Sequence, residues 1–460
     1  MKKLHFIGIG GIGMSGLAAM GHDLGIEITG SDRGAGKPEN RRIFSALEKQ
    51  GIKIYPQDGS FARETLPDYI VYSTAIEEDN PDFLAAGETP RLHRSALLGR
   101  LMALQKNKET IAVTGSCGKS TVTAYMAEAL FNLGADPSCL NGALSKRFKS
   151  EEWAGNYRPG KGRYFVFEAD ESDKSLLNYG ADYALILNIG TDHYSKEELA
   201  VVFGKFLKNI RKGAVISDEV FTAVRNFIPE DLPVTVFYAN GEDKPFALQH
   251  YEVCSRKGQA VFTGEVKITL PVIGRHNALN ALAVFALLLQ LGFEREASRC
   301  ALERFDGIFR RTDLAGKTSS GAWVYDDYAH NPEKIISCLE TMRALGSGRV
   351  LAVFQPHGYG PLGFMRDSLF EYLEKTLTLQ DHFVLLEPYY AGGTTSFKPT
   401  SREVISDWKA RSAHPELYST QPDREALAAF LHAEARPDDV IVIMGARDNS
   451  LSDYAVQLTR

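Results

Sequence analysis

The stretch "ETIAVTGSCGKSTVTAYMAEALFNLGA" constrains the fold of this chain more than any other. Thr110 to Val113 have the β-branched, apolar character of a buried strand, and Ser120 to Leu133 carry apolar residues at helical spacing. Between them, Thr114 to Lys119 must turn. A strand that turns directly into a helix presents unpaired N–H groups and the positive end of the helix dipole, which together cradle phosphate. In such a loop Lys119 reaches the β/γ-phosphates and the Ser120 hydroxyl takes Mg²⁺. The strict G-x-x-x-x-G-K-[ST] spacing is not met, because Val113 stands at the first glycine position; Gly115 supplies a shorter G-x-x-G-K-S. A glycine turn ending in Lys-Ser by chance is the alternative, and the strand before and helix after favour nucleotide binding.

A second glycine loop lies near the start, in "HFIGIGGIGMSGLAAM". Gly8, Gly10 and Gly13 keep G-x-G-x-x-G spacing, with Gly11 between them. The first two permit a tight turn and close approach to a pyrophosphate, and Gly13 is expected to let helix pack on strand. Asp32 in "TGSD" falls about 20 residues further on, where a ribose-binding acid belongs. Taken alone this reads as a nicotinamide site. Two phosphate loops in one chain argue against a simple dehydrogenase, which has no use for the second.

Bulk properties narrow the class. A chain of 460 residues exceeds one core and suggests about three domains. With 44% hydrophobic and 24% charged residues it has an ordinary globular composition, and a net charge of -6 argues against nucleic-acid binding. The five cysteines are scattered without C-x-x-C spacing, so neither a disulfide framework nor a zinc site is expected. "MKK" runs straight into a strand and is not read as a signal peptide. The apolar run Leu279 to Phe293 is shorter than the roughly 18 residues of a membrane span and reads as a buried helix. A cytoplasmic protein with no membrane partner is the expectation.

Downstream of the nucleotide loop, strands end in polar clusters. "RYFVFEADESDKSLL" closes the strand Tyr164 to Phe167 with Glu168, Asp170, Glu171 and Asp173, hard oxygens suited to Mg²⁺ at the carboxyl end of a strand. "DYALILNIGTDHYS" closes Tyr183 to Leu187 with Asn188, Asp192 and His193. A solvated acidic loop and a structural histidine are the plain alternatives. "GRHNALNA" places His276, Asn277 and Asn280 at the start of the apolar helix, Asn277 being read first as an N-cap and otherwise as an amide for a base edge. "FDGIFRRTDLAG" supplies Arg310 and Arg311, one of which could clamp phosphate. In "GAWVYDDYAHNPEK", Asp326, Asp327, His330 and Pro332 are placed at a turn between strand and helix.

The order of these motifs resembles that of the Mur ligases, the ATP-dependent amide-forming enzymes of peptidoglycan precursor synthesis. "HFIGIGGIGMSGLA", "GSD", "STAI", "VTGSCGKST", "EADESD", "LNIGTDH", "GRHNALNA", "FDGIFRR", "DDYAHNP" and "FQPHGY" run from Phe6 to Tyr359 in the family's order. The resemblance implies an α/β chain of three domains: a Rossmann-like UDP-sugar domain (1–107), a central P-loop ATPase domain with a mostly parallel sheet (108–312), and a Rossmann-like domain (313–460) that closes over ATP and binds the amino acid. The implied activity joins an amino acid, L-alanine being expected, to the muramate carboxylate of UDP-N-acetylmuramate through an acyl phosphate. A recycling ligase attaching a murein tripeptide, or a non-catalytic nucleotide-binding relative, are the alternatives.

Residue by residue, the resemblance implies that Gly8, Gly10, Gly11, Gly13, Asp32, Ser73 and Thr74 bind the UDP sugar. Gly115, Ser116, Cys117, Gly118, Lys119, Ser120 and Thr121 would form the ATP loop, with Asn277 at adenine, Arg311 at phosphate and Asp327 at ribose. Ser120, Glu168 and His193 would hold two Mg²⁺ ions. Lys119, Arg311 and His330 are the implied catalytic residues, and His330 with His357 lies where the amino acid binds. Partners would be small molecules alone, the chain being a monomer or weak homodimer. Two departures stand out. The ATP loop reads "GSCGKST" where the alanine-adding members usually read "GTHGKTT". In "FQPHGYGPLGFMRD" those members have an arginine directly after the histidine and a second soon after, both facing substrate; here Gly358, Gly360 and Gly363 leave a bare loop, with Arg366 the nearest guanidinium in sequence.

Overall fold

Apolar strands that alternate with helices can bury both faces of a sheet only if the sheet is largely parallel, and among the described residues three of four sheets are. The computed structural model describes residues 1–460 except 38–39, 65, 191–193, 346–347 and 391–395. By contacts the chain divides into two units, residues 1–309 and 310–460.

The first unit opens with β1 (Lys3–Ile7), β2 (Glu27–Asp32), β3 (Lys53–Pro56), β4 (Tyr69–Tyr72) and β5 (Arg91–His93). They form a parallel sheet in the order β3-β2-β1-β4-β5. The order reverses at β1, so the crevice beyond the ends of β1 and β4 is where such a sheet takes ligands. Gly8 follows β1 directly, and Ser73 and Thr74 follow β4. The side chain of Ile76 lies 3.3 Å from where a Cβ on Gly8 would stand, so the two loops face each other across this switch point.

A second sheet contains β6 (Glu109–Thr114), β7 (Ser138–Leu140), β8 (Tyr157–Arg158), β9 (Tyr164–Glu168), β10 (Ala181–Ile186), β11 (Ile210–Ser217) and β12 (Val234–Phe237), in the order β12-β11-β10-β6-β9-β7-β8. Only the β7–β8 pair is antiparallel, which agrees with the mostly parallel sheet expected. β6 is central, flanked by β9 and β10. Val113 pairs with Glu168 and Thr114 with Ile186, so the polar clusters ending β9 and β10 fall on either side of the nucleotide loop. Ile111, Ala112 and Val113 are fully buried; burying a side chain of Val or Ile size contributes about 1.5–3 kcal/mol. β13 (Leu248–Cys254), β14 (Lys257–Phe262) and β15 (Val266–Leu270) form a separate antiparallel meander. The apolar run near residue 285 is a buried helix, as its length required, but it starts earlier, at Arg275, and ends at Gln290.

The second unit has β16 (Asp313–Lys317), β17 (Trp323–Asp327), β18 (Val350–Gln355), β19 (His382–Leu385), β20 (Tyr418–Ser419) and β21 (Val440–Gly445). Their order is β16-β17-β21-β18-β19-β20, all parallel but for the β16–β17 edge. Asp326 and Asp327 were expected in a turn; they are instead the last residues of β17 and are buried. Their backbone pairs with β21, and their carboxylates accept from Arg310 and Ser452 at Asp326 and from the Thr312 and Ala329 N–H groups at Asp327. Among the described residues, no helix is long and apolar enough to cross a membrane.

Candidate active site

The helix Lys119–Asn132 begins at Gly118, which takes a left-handed φ of +86°, and no side chain caps its first amides. Lys119 curls back over the loop. Its Nζ donates to the Gly115 carbonyl at 2.9 Å and pairs with the Glu171 carboxylate at 2.8–2.9 Å. Burial pulls the ammonium down, but Glu171, Glu168 and Asp170 outweigh it and hold Lys119 above its ordinary value. Burial also raises Glu171, against the pull of Lys119. Asp170 is lowered despite its burial, chiefly by Lys119 and by hydrogen bonds from Ser172. The mouth of the loop therefore holds the half-buried Lys119 ammonium among three carboxylates.

The neighbouring strands brace this loop. Asn188, just beyond β10, accepts from the Cys117 N–H at 2.8 Å and donates to its carbonyl at 3.0 Å. Ser116 Oγ accepts from the Gly190 N–H at 2.7 Å. On the other side, Glu168 accepts from the Gly142 N–H at 3.0 Å while the adjacent Asn141 donates to the Ser120 carbonyl at 3.1 Å. One turn thus ties the start of the helix to the end of β9. A hydroxyl at residue 120 and a carboxylate at 168, brought together in this way, are a hard-oxygen set that fits Mg²⁺. His193 lies outside the described residues. Among those described, no group of three or more His, Cys, Asp or Glu side chains is arranged to hold a metal.

Asn277 is not the N-cap. Gly274 is, and Asn277 sits inside the first turn, its amide donating to the Ile273 carbonyl at 2.7 Å and accepting from Asn280 at 3.2 Å. The helix starts earlier because Gly274 ends the preceding loop. Asn280 Oδ1 lies 3.1 Å from where a Cβ on Gly118 would stand, so this amide pair is against the nucleotide loop.

At the first glycine loop, the Gly8 and Ile9 N–H groups donate to the Ser31 carbonyl at 2.8 and 3.1 Å. Asp32 does more than wait for a ribose: its two oxygens accept from the Gly10 N–H at 2.8 Å and the Gly34 N–H at 2.6 Å. Gly13 does not serve helix-on-strand packing as expected. A Cβ there would stand 3.1 Å from Arg94 Nη1, so the missing side chain makes room for a guanidinium. Arg94 reaches Asp170 at 3.2 Å and Asp173 at 3.4 Å. A cavity of about 70 Å³ lies here, lined by Gly13, Arg94, Gly142, Glu168, Asp170 and Tyr179 among others. It lies between Gly13 of the first glycine loop and the acidic end of β9.

In the second unit the adjacent arginines part company. Arg310 is buried and structural, with a φ of +60°; it pairs with Asp326 at 3.3 Å and donates to the carbonyls of Gly445 at 2.6 Å and Ala446 at 3.1 Å. Arg311 is half-buried, 5.2 Å above the Tyr328 ring. Asp327 accepts from the N–H groups of Thr312 at 2.7 Å and Ala329 at 2.8 Å. His330 and His357 are brought together, ring centroids 5.5 Å apart and edge to face. His330 Nδ1 lies 2.9 Å from the Tyr328 carbonyl, which assigns the proton to Nδ1 and leaves Nε2 with its lone pair. Burial and the nearby Lys334 push His330 down to about 4, and burial with Arg447 lowers His357. Both rings are neutral near pH 7.

Sequence reasoning placed Glu171 and Asn188 only within the polar clusters that end two strands, Glu171 as one of several oxygens for Mg²⁺, and gave no role to Arg94 or Arg447. The first two had a signal, since each follows a strand that flanks β6. Arg94 and Arg447 had none without the sheet order.

Parallel sheets with a glycine loop beyond β1 and a lysine-bearing glycine loop beyond β6 are the architecture of multidomain α/β proteins that hold phosphorylated ligands. Comparison with known proteins narrows this class. Residues 3–106 match the Mur ligase family catalytic domain, 113–288 the Mur ligase middle domain, and 310–447 the Mur ligase glutamate ligase domain. The chain is 34% identical to a UDP-N-acetylmuramate–L-alanine ligase of Sinorhizobium fredii over 483 residues, 99% of this chain and 96% of the relative. Among solved structures, the UDP-N-acetylmuramate–alanine ligase MurC of Thermotoga maritima superposes with a TM-score of 0.80 at 26% identity, covering 99% and 98% of the two chains. A murein peptide ligase of Psychrobacter arcticus shares the fold at TM-score 0.68 and 21% identity, covering 100% and 98%. The chain belongs to the Mur ligase family.

Proposed function

We propose that this chain is an ATP-dependent ligase that joins L-alanine to the muramate carboxylate of UDP-N-acetylmuramate, through an acyl phosphate, in peptidoglycan precursor synthesis. The observation that carries this reading is the half-buried Lys119 over its glycine loop, ringed by Glu171, Glu168 and Asp170. A carboxylate approaching a triphosphate is repelled, so the site's first task is to offset charge. Lys119 would leave Glu171 for the phosphates, and the amides at Gly118 to Ser120 would receive them. Ser120 and Glu168 would hold Mg²⁺, which when bound neutralises phosphate oxygens. Asn277 would meet the adenine, Asp327 the ribose and Arg311 a phosphate. In the first domain, Gly8 to Gly13 with Ser73 and Thr74 would hold the UDP moiety.

Residues 313–460 would present the amino acid. An ammonium is no nucleophile, and His330, neutral with a free Nε2 lone pair, is the group suited to take its proton. The full-length likeness to alanine-adding relatives, and the higher TM-score for the alanine ligase than for the murein peptide ligase, support L-alanine over a tripeptide.

The test is a screen of amino acids and peptides with ATP and UDP-N-acetylmuramate, scored by product mass. L-alanine should give the adduct, and Lys119→Ala and Glu168→Ala should abolish it while far-UV circular dichroism is unchanged. Adduct from the tripeptide alone would replace this reading by recycling, and full turnover by either variant would refute the site.

A further inference from the structure

Loss of the arginines after His357 leaves the acceptor region of this chain without the expected guanidinium. The sheet supplies one from another strand. β18 and β21 are adjacent and parallel, with Gln355 paired to Gly445. His357 and Arg447 each stand two residues beyond that pair, on neighbouring loops at the carboxyl end of the sheet, where ligands bind in folds of this type. Arg447 is exposed, and among the described residues it has no hydrogen bond or ion pair. Its backbone, by contrast, is fixed on both sides. Buried Arg310 holds the carbonyls of Gly445 and Ala446, and Arg424 pairs with Asp448 at 2.7 Å. A free guanidinium on a pinned backbone is a preorganised anion site.

We infer that Arg447 is the specificity-determining residue for the acceptor, binding the α-carboxylate of the incoming amino acid beside His357. The inference rests on the ligase reading above and deepens it. An α-amino acid arrives as a zwitterion, so its binding site needs a cation for the carboxylate and a neutral base for the ammonium. Arg447 and the His330–His357 pair provide both within one unit. The lowering of His357 by Arg447 agrees with their closeness. The arrangement selects a single amino acid over a peptide, because in a peptide the carbon next to the attacking amine carries an amide and no charge. Gly358 and Gly360 contribute no side chain that would compete for the carboxylate.

The test measures KM and kcat for L-alanine and for L-alaninamide in the full-length enzyme and in Arg447→Met and Arg447→Lys. For Arg447→Met, KM for L-alanine should rise about 10–100-fold, the size expected for loss of a charge-assisted hydrogen bond. KM for L-alaninamide and the affinity for ATP should stay within about twofold, and Arg447→Lys should recover part of the loss. A separate readout needs no substrate: by NMR, His357, whose charged neighbours are Arg447 and Lys334, should titrate at higher pH in Arg447→Met. An unchanged KM for L-alanine, or an equal rise for the amide, overturns the inference. If the parent enzyme makes no L-alanine adduct at all, the ligase reading fails instead.

Discussion

The helix that carries the nucleotide loop contains a buried carboxyl that should make stability depend on pH in a specific direction. Glu128 is fully buried and accepts from Ser145 Oγ at 2.9 Å and from the Asp306 N–H at 2.8 Å. Burial pushes it from an ordinary 4.5 to about 8, against the pull of those two hydrogen bonds. Between these values the folded chain holds a proton that the unfolded chain has released, so stability falls as pH rises from about 4.5 to about 8 and then levels off. At about 1.4 kcal/mol per pH unit the full penalty is on the order of 5 kcal/mol. Glu128→Gln keeps the shape and cannot ionise. Its amide can donate to Ser145 Oγ while its carbonyl accepts from the Asp306 N–H. Urea unfolding can be followed through Trp153, the only tryptophan among residues 1–309, in a Trp323→Phe, Trp408→Phe background. The variant should gain on the parent steadily from pH 5 to pH 8, other titrations cancelling in the difference. A difference that stays flat within about 1 kcal/mol over that range would show that Glu128 is not held as a neutral acid, and the reasoning would fail.

Two further outcomes follow from the site. His330→Gln should lower ligation by about 10²–10⁴-fold, the usual contribution of a general base, while the acyl phosphate still forms and can be trapped by borohydride; loss of trapping as well would remove His330 from the amine step. Gly10→Ala places a Cβ 2.7 Å from Phe44 and 2.9 Å from Asp32 Oδ2, so it should break the Asp32 brace. Overpacking of this kind costs about 1–3 kcal/mol, and calorimetry should show weaker binding of UDP-N-acetylmuramate with ATP affinity intact.

The parts of the fold visible in the sequence were those fixed by local chemistry. A strand, a glycine turn and a helix around Lys119 can be read from residues 110 to 133 because each element is set by its own neighbours in the chain. The same holds for the glycine loop after β1 and for the buried helix whose apolar run has no polar face. Boundaries were less legible. Asn277 has the residue type of an N-cap, but Gly274 three residues earlier already turns the chain, so the helix absorbs it. Asp326 and Asp327 look like turn residues in sequence; β21 beside them supplies the backbone partners that extend the strand to its last carboxylate.

What the sequence withheld depends on which strands are neighbours. Glu168 and Asn188 are 20 residues apart in the chain, yet they flank one loop because β6 lies between β9 and β10. Arg94 and Gly13 meet because the helix after β5 runs back beside the helix after β1. Arg447 is the sharpest case. Reading onward from His357 finds glycines and a distant Arg366, with no cation directly after the histidine. Sheet order supplies one, since β21 pairs with β18 and Arg447 stands as far beyond β21 as His357 stands beyond β18. A charge suited to the substrate can therefore lie 90 residues away along the chain and still stand level with the histidine at the end of the sheet. For a parallel sheet, the unit that carries specificity is the row of strand ends, and a motif confined to one loop is only one contributor to that row.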